Sequence, residues 1–245
     1  MSLHLIHPDW PLQDKVMAFT TSRIGGVSVE PYETFNLALH VGDNQKNVLT
    51  NRYDINQLLG SAVDIKWLKQ THSTITVDAA NVDADVIEAD ASFTTSNTIA
   101  CAVLTADCLP ILLSDHNGEC IGAVHAGWRG LVDGVIENTI KSMSQYIKPS
   151  YVWLGPAIGP SAFEVGEDVF EAYMNRNPNF EPCFKAKKPG KWNLDIYKAA
   201  KIVLKAADIP NIYGGSFCTY TDDDQFFSYR RNAITGRMAT VIAKR

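Results

Sequence analysis

A chain of 245 residues, 46% hydrophobic and 20% charged, is long enough to bury one large core or two small ones. Its formal net charge of −5 gives no support for nucleic-acid binding, which usually needs a basic surface, and no apolar run is long enough to span a bilayer. The opening MSLHLIHPDW lacks the charged and then apolar pattern of an export signal, and five cysteines without a CxxC pair fit free thiols in a reducing cytoplasm.

Taken along the chain, VMAFTTS (16–22) reads as a strand, and helical periodicity follows over 45–60, stopped by Gly60. Further strands are expected at IKWLKQ (65–70), ITVDA (75–79), ASFTT (91–95), IACAVLTA (99–106), PILLSD (110–115), CIGAVHA (120–126) and VWLGPAI (152–158). A helix over 130–147 puts Leu131, Val135, Ile136, Ile140 and Met143 on one stripe, facing the strands at 99–106 and 120–126. Helices are also expected at 166–177 and 193–209, and KAKKPGK (185–191) reads as a solvated loop. The final QFFSYRRNAITGRMATVIAK reads as two strands around a turn at Thr235 and Gly236. The order is mixed and no Pro/Gly/Ser-rich linker divides it, so one α+β domain with a mixed-sheet core, spanning 1–245, is expected.

Three of these strands end on groups that carry chemistry. IKWLKQTHS delivers His72 into a Thr/Ser turn, CAVLTADCLPILL sets Asp107 and Cys108 between two apolar runs, and CIGAVHAGWRG ends on His125. Pro110 is expected to interrupt any continuous ladder there, and Ala126 and Gly127 clear space beside His125. Two imidazoles and a thiolate form an N₂S set suited to zinc or copper, with a fourth coordination position left open, as in catalytic zinc sites. The alternative is a buried Cys108 that fills core, with two unrelated loop histidines. His4, His7, His40 and His116 read as surface or satisfied residues, and Cys101, Cys120, Cys183 and Cys218 as core or incidental thiols.

The blocks RIGGVS, YETFNLALHVGD, KQTHS, TADCLPILL, VHAGWRG, GPAIGP with FEVG, and FFSYRRNAITGR resemble, in order, the bacterial YfiH-type laccase-domain family. They cover the chain from Arg23 to Arg237. The resemblance implies a single-domain α/β sandwich and a metal held by His72, Cys108 and His125. It also brings three activity labels: polyphenol oxidase, purine nucleoside phosphorylase with adenosine deaminase activity, and an amidase removing serine from a peptidoglycan precursor. Ala162 and Phe163 stand where the family often has a cysteine and a tyrosine, so no thiol or phenol chemistry is expected there.

Six histidines without a His-x-His pair cannot build a four-copper site, which leaves zinc as the expected cofactor and copper as a substitute. Zinc acidifies water enough to attack C6 of adenine, although the HxE…PCxxC deaminase signature is absent. Phosphorolysis needs an anion pocket. Arg23 beside Gly25 and Gly26 is one candidate, with a solvated turn as its alternative. Arg129 at a helix start is another, with packing or an ion pair as its alternative. Asp107 is the candidate general acid, or else orients a metal-bound histidine. Glu164 competes with a helix-capping role, and Arg230 and Arg231 with ion pairs to Asp222–Asp224. Without metal, Cys108 and His125 or His72 would form a thiolate–imidazole pair for amide hydrolysis. A metal-binding module without activity is a third reading. The leading expectation is a cytoplasmic zinc-dependent phosphorylase of adenosine, inosine and methylthioadenosine that also deaminates adenosine. Its partners are nucleoside and phosphate, with catalysis by Cys108, His125 and Asp107. Trp128 and Phe163 are the candidate stacking aromatics; oligomeric state is not legible.

Overall fold

The apolar runs pair into two main sheets, seen in a computed structural model that describes residues 3–82 and 87–245. In chain order the strands begin with β1 (Leu5–Ile6), β2 (Val16–Thr21), β3 (Asp64–Lys66), β4 (Leu68–Lys69), β5 (Thr76–Asp78) and β6 (Ile87–Glu88). They continue with β7 (Ala91–Thr94), β8 (Ile99–Thr105), β9 (Leu109–Ser114), β10 (Ile121–Ala126) and β11 (Tyr151–Leu154). The last are β12 (Glu164–Gly166), β13 (Phe184–Lys188), β14 (Lys191–Leu194), β15 (Asn211–Gly214) and β16 (Met238–Lys244). The helices among the described residues are α1 (Gln45–Leu59), α2 (Trp128–Asp133), α3 (Val135–Met143), α4 (Glu167–Arg176) and α5 (Ile196–Ala206). None of them is long and apolar enough to cross a membrane.

One sheet runs β1-β2-β16-β8-β3 and the other β15-β11-β9-β10-β7-β5, each mixing parallel and antiparallel pairs. They pack face to face, β8 and β16 against β10, β7 and β9. Strand period explains why β8 is apolar throughout. Cys101 and Val103 meet Leu112, Ile121 and Ala123 between the sheets, while Ala100, Ala102 and Leu104 face Phe19, Phe35 and Val241 on the far side. β10 is two-faced in the same way: Val124 and Ala126 join the layer of Val135, Ile136, Ile140 and Met143. Gly122 leaves room there, since a Cβ would lie 3.1 Å from Met143 Sδ. This mixed α/β architecture is the class expected from the sequence.

Several elements differ from the sequence reading. The helix expected over 130–147 is two helices, because Gly134 takes φ +105° and closes α2 before α3 starts. α3 packs on β10, β7 and β5 but not on β8, which belongs to the opposite sheet. The helix expected over 193–209 begins at Ile196, since Asp195 caps it through Lys198 N–H while 191–194 pair as β14. KAKKPGK forms the exposed hairpin β13–β14 rather than an irregular loop. Pro110 sits inside β9, opposite His125, and its carbonyl still accepts from Gly155 N–H, so the ladder is not interrupted. Residues 225–231 form no strand. The Arg231 guanidinium there donates to the carbonyls of Thr219, Tyr220 and Phe226 and wraps the run around itself, leaving β16 as the one strand of the final segment.

Candidate metal centre

β8 and β10 finish at the same end of the sandwich, and three chain segments meet there. His125 continues the Ile121–Ala123 face of β10, and its ring Nδ1 lies 2.7 Å from Asp90 Oδ1, which leaves Nε2 free to bind a metal. Asp90 is fully buried and also accepts from the backbone N–H groups of Thr71, His72 and Ser73 and from Ser73 Oγ. The Asp90 carbonyl in turn accepts from His125 N–H at 2.7 Å. One carboxylate therefore orients His125 and pins the turn that carries His72, the carboxylate–histidine arrangement that supports metal sites. Burial alone would raise the Asp90 carboxyl, but its hydrogen bonds from His125 and Ser73 outweigh that and hold it at about 2.

Two of the ordered positions are backbone outliers. His72 has φ +61° and Asp107 φ +92°, left-handed conformations that cost a non-glycine residue about 1–3 kcal/mol each. Both flank the same point. The ligand atoms of His72, Cys108 and His125 all lie within 4.8 Å of one another. Cys108 Sγ is 3.8 Å from His72 Nε2, and the two imidazoles meet edge to face at 4.9 Å between centroids. Two nitrogens and a sulfur around one point suit a zinc- or copper-sized ion. Burial would raise the Cys108 thiol, but His125 and His72 pull it down to about 6; burial would lower His125, but Cys108 and Asp90 push it up. The sulfur thus favours the thiolate form, which is the form that ligates.

Gly127 stands against this group with an ordinary φ of −61°, so its value is space rather than backbone freedom. A Cβ there would lie 2.7 Å from His72 Cδ2 and 3.2 Å from Cys108 Sγ. Gly127→Ala is therefore expected to fold normally yet weaken zinc binding about 10- to 100-fold, read by competition with a chromophoric chelator. Unchanged affinity would remove His72 from the ligand set.

The group lines a cavity of about 430 Å³ together with His40, Gln70, Tyr229 and Arg237. Gln70 is committed to the fold, its amide exchanging both hydrogen bonds with the Leu104 backbone. Arg237 donates to the carbonyls of Thr235 and Gly236 and has no carboxylate partner among the described residues. Partial burial, then the charges of Arg237 and Arg52, hold the His40 imidazole below its ordinary value, so it is neutral near pH 7.

The other candidates are placed elsewhere. Asp107 hydrogen-bonds neither histidine: Oδ1 accepts from Thr219 Oγ1 at 2.6 Å and Oδ2 from Arg230 N–H at 2.7 Å. Asp90 has the orienting role instead. Arg23 lines a different cavity, donates to the carbonyls of Glu33 and Asp223 and pairs with the Glu33 carboxylate. The Gly25 and Gly26 N–H groups are already taken by Thr34 Oγ1. Arg129 is exposed, its guanidinium 4.2 Å above the Trp128 ring. Glu164 caps no helix and pairs with Lys187 at 2.8 Å. Arg230 and Arg231 donate to backbone carbonyls, not to Asp222–Asp224. Cys101 and Cys120 are buried thiols pushed up to about 12, consistent with core.

Asp90, His40 and Arg237 were not selected from the sequence. Asp90 carries no local signal, because its partners come from 17 to 35 positions away. His40 and Arg237 did have one: they lie inside YETFNLALHVGD and FFSYRRNAITGR, two of the blocks that carried the family resemblance.

The chain is similar to known proteins over nearly its whole length. The family model described as "Multi-copper polyphenol oxidoreductase laccase" matches residues 17–245. A purine nucleoside phosphorylase of Haemophilus influenzae is 43% identical over 242 residues, covering 98% of this chain and 99% of its own. The purine nucleoside phosphorylase YfiH of Escherichia coli is 41% identical over 238 residues, covering 97% and 98%. Among solved structures, a Neisseria meningitidis protein superposes with TM-score 0.94 at 42% identity, covering 100% of this chain and 99% of that one. YlmD from Geobacillus stearothermophilus superposes with TM-score 0.87 at 29% identity, covering 96% and 94%.

Proposed function

This chain belongs to the YfiH-type laccase-domain family, and on that premise we propose that it is a zinc-dependent purine nucleoside phosphorylase that also deaminates adenosine. One observation carries the phosphorolytic half: a guanidinium with no carboxylate partner among the described residues, Arg237, lines the cavity that holds the His72–Cys108–His125 group. A half-buried cation without a counter-ion, beside a neutral imidazole that can donate one N–H, is the chemistry of an inorganic phosphate site. Arg237 and His40 take the place that the sequence reading gave to Arg23 and Arg129. The cavity size falls within the roughly 300–1,000 Å³ typical of small-molecule sites.

The donor set fits zinc. His125 offers Nε2 with its other nitrogen held by Asp90, Cys108 favours thiolate, and His72 completes the set with one coordination position open. A zinc ion held there supplies Lewis acidity and an ionisable water, the chemistry that deamination of adenosine requires. Asp90 keeps the ligands in place, bonded to the His125 ring and to the turn that carries His72. Multi-copper oxidation finds no support in the ligand inventory: among the described residues His72, Cys108 and His125 form the one three-ligand group, and a multinuclear cluster needs several.

The test is direct. Purified protein incubated with adenosine and phosphate is expected to release adenine and ribose 1-phosphate in a phosphate-dependent reaction, and inosine without phosphate. Arg237→Ala is expected to raise the KM for phosphate about 10- to 100-fold while leaving the KM for adenosine within twofold. Release of serine from a serine-bearing muramyl nucleotide, with neither adenine nor inosine formed from adenosine, would replace this reading with the amidase one.

A further inference from the structure

We infer, on the metal reading of the His72–Cys108–His125 group, that Asp107 is a positioning residue for the sulfur ligand. Its carboxylate clasps two distant segments and so holds the left-handed turn that presents Cys108 to the metal. Asp107 transfers no proton in this role.

The turn has a demanding path. β8 ends at Thr105 in one sheet and β9 begins at Leu109 in the other, so Ala106, Asp107 and Cys108 carry the chain across. On the C-terminal side Cys108 is fixed by its neighbour, because Leu109 pairs with Ala126 in the β9–β10 ladder. On the N-terminal side the ladder stops at Thr105, paired with Met238, and the crossing is made by Asp107 at φ +92°. Glycine takes such a backbone without steric cost, whereas an L side chain resists it. A residue that stays there is held by its surroundings.

The holding contacts come from the carboxylate. Asp107 is buried, with Oδ1 on Thr219 Oγ1 and Oδ2 on Arg230 N–H, 112 and 123 positions further along the chain. Its carbonyl accepts from Ile158 N–H at 2.9 Å. These partners are anchored in turn. Thr219 is fully buried, its N–H donates to the Ala157 carbonyl and its own carbonyl accepts from the Arg231 guanidinium. Arg230 Nη1 reaches the Glu164 carbonyl. Short hydrogen bonds to a carboxylate are among the stronger ones. The side chain thus pins its own backbone to a fixed frame, and the next residue is the ligand. Asp90 stands in the same relation to the histidines, bonded to the His125 ring and to His72 N–H, so each ligand has a buried carboxylate behind it.

Replacing Asp107 separates position from charge. In Asp107→Asn the amide oxygen can accept from Arg230 N–H and the amide N–H donate to Thr219 Oγ1, and asparagine tolerates a left-handed backbone. Its zinc affinity, read by competition with a chromophoric chelator, is expected within about threefold of wild type. Asp107→Gly suits the backbone but has no clasp, and its affinity is expected to fall about 10- to 100-fold. Thr219→Val removes one of the two contacts and leaves Asp107 in place; about a tenfold loss is expected. Cobalt-loaded proteins supply a signature of the sulfur itself. The thiolate-to-metal charge-transfer band of wild type is expected to persist in Asp107→Asn and to weaken in the other two, with thermal midpoints of the metal-free proteins showing that all are folded. Full zinc affinity and an unchanged band in Asp107→Gly would overturn the clasp. So would an Asp107→Asn protein that holds zinc like wild type yet has lost turnover of adenosine, since the carboxylate would then act in the chemistry itself. Wild-type protein that takes up neither zinc nor cobalt overturns the metal reading and the clasp together.

Discussion

Cys108→Ala is expected to abolish zinc binding and, with it, the activity. Wild-type protein carries about one zinc per chain; the variant, left with two histidines, retains none through gel filtration. Phosphorolysis and deamination fall together by about 10³-fold or more, the several kcal/mol that a Lewis-acid metal contributes to a transition state. Chelation adds a second readout, because an ion that binds only the folded chain stabilises it by mass action. A strong chelator lowers the thermal midpoint of the wild type but leaves that of Cys108→Ala unchanged. Full nucleoside activity in the metal-free variant would show that the His72–Cys108–His125 group has no part in the chemistry.

Asp90→Ala is expected to be the most destabilising single change near the site. Asp90 is wholly buried and accepts five hydrogen bonds, three from backbone N–H groups, one from a hydroxyl and one from an imidazole. Removing one partner of a buried charged network costs about 3–5 kcal/mol, measured by urea unfolding. Asp90→Asn keeps the volume but offers an amide where donors now converge, so part of that loss remains. Zinc affinity in Asp90→Asn falls about 10- to 100-fold, since the His125 ring loses its carboxylate partner. The pH dependence follows from a depressed carboxyl. Its contribution is fully present above the ordinary aspartate value and is lost as pH falls from there through about 2. That window is worth about 2 kcal/mol, and its absence from the Asp90→Asn unfolding profile is the check. Equal acid sensitivity in wild type and variant would mean that Asp90 is not held as the charged form.

Sequence alone located most strands of the two main sheets and singled out His72, Cys108 and His125 as candidate ligands, because both are written in local patterns. β8 reads as a continuous apolar run since both of its faces are covered, and His72, Cys108 and His125 each lie at or just beyond the end of a strand. The family resemblance, carried by long motif blocks, joined the three into one site before any coordinates did. Tertiary structure decided what periodicity cannot encode. Gly134 splits one apolar stripe into two helices because a left-handed turn interrupts the backbone without interrupting the pattern. Phe226, Phe227 and Ser228 are buried as strand residues would be, yet the run at 225–231 wraps around Arg231, since carbonyls close in space claim its guanidinium. Burial and pairing are separate requirements, and only burial leaves a sequence signature. The same holds at the site: Asp90, His40 and Arg237 matter through partners brought from distant segments. A charge gains or loses its counter-ion according to what the fold sets beside it, so Arg23 is neutralised by Glu33 while Arg237 is left facing the cavity.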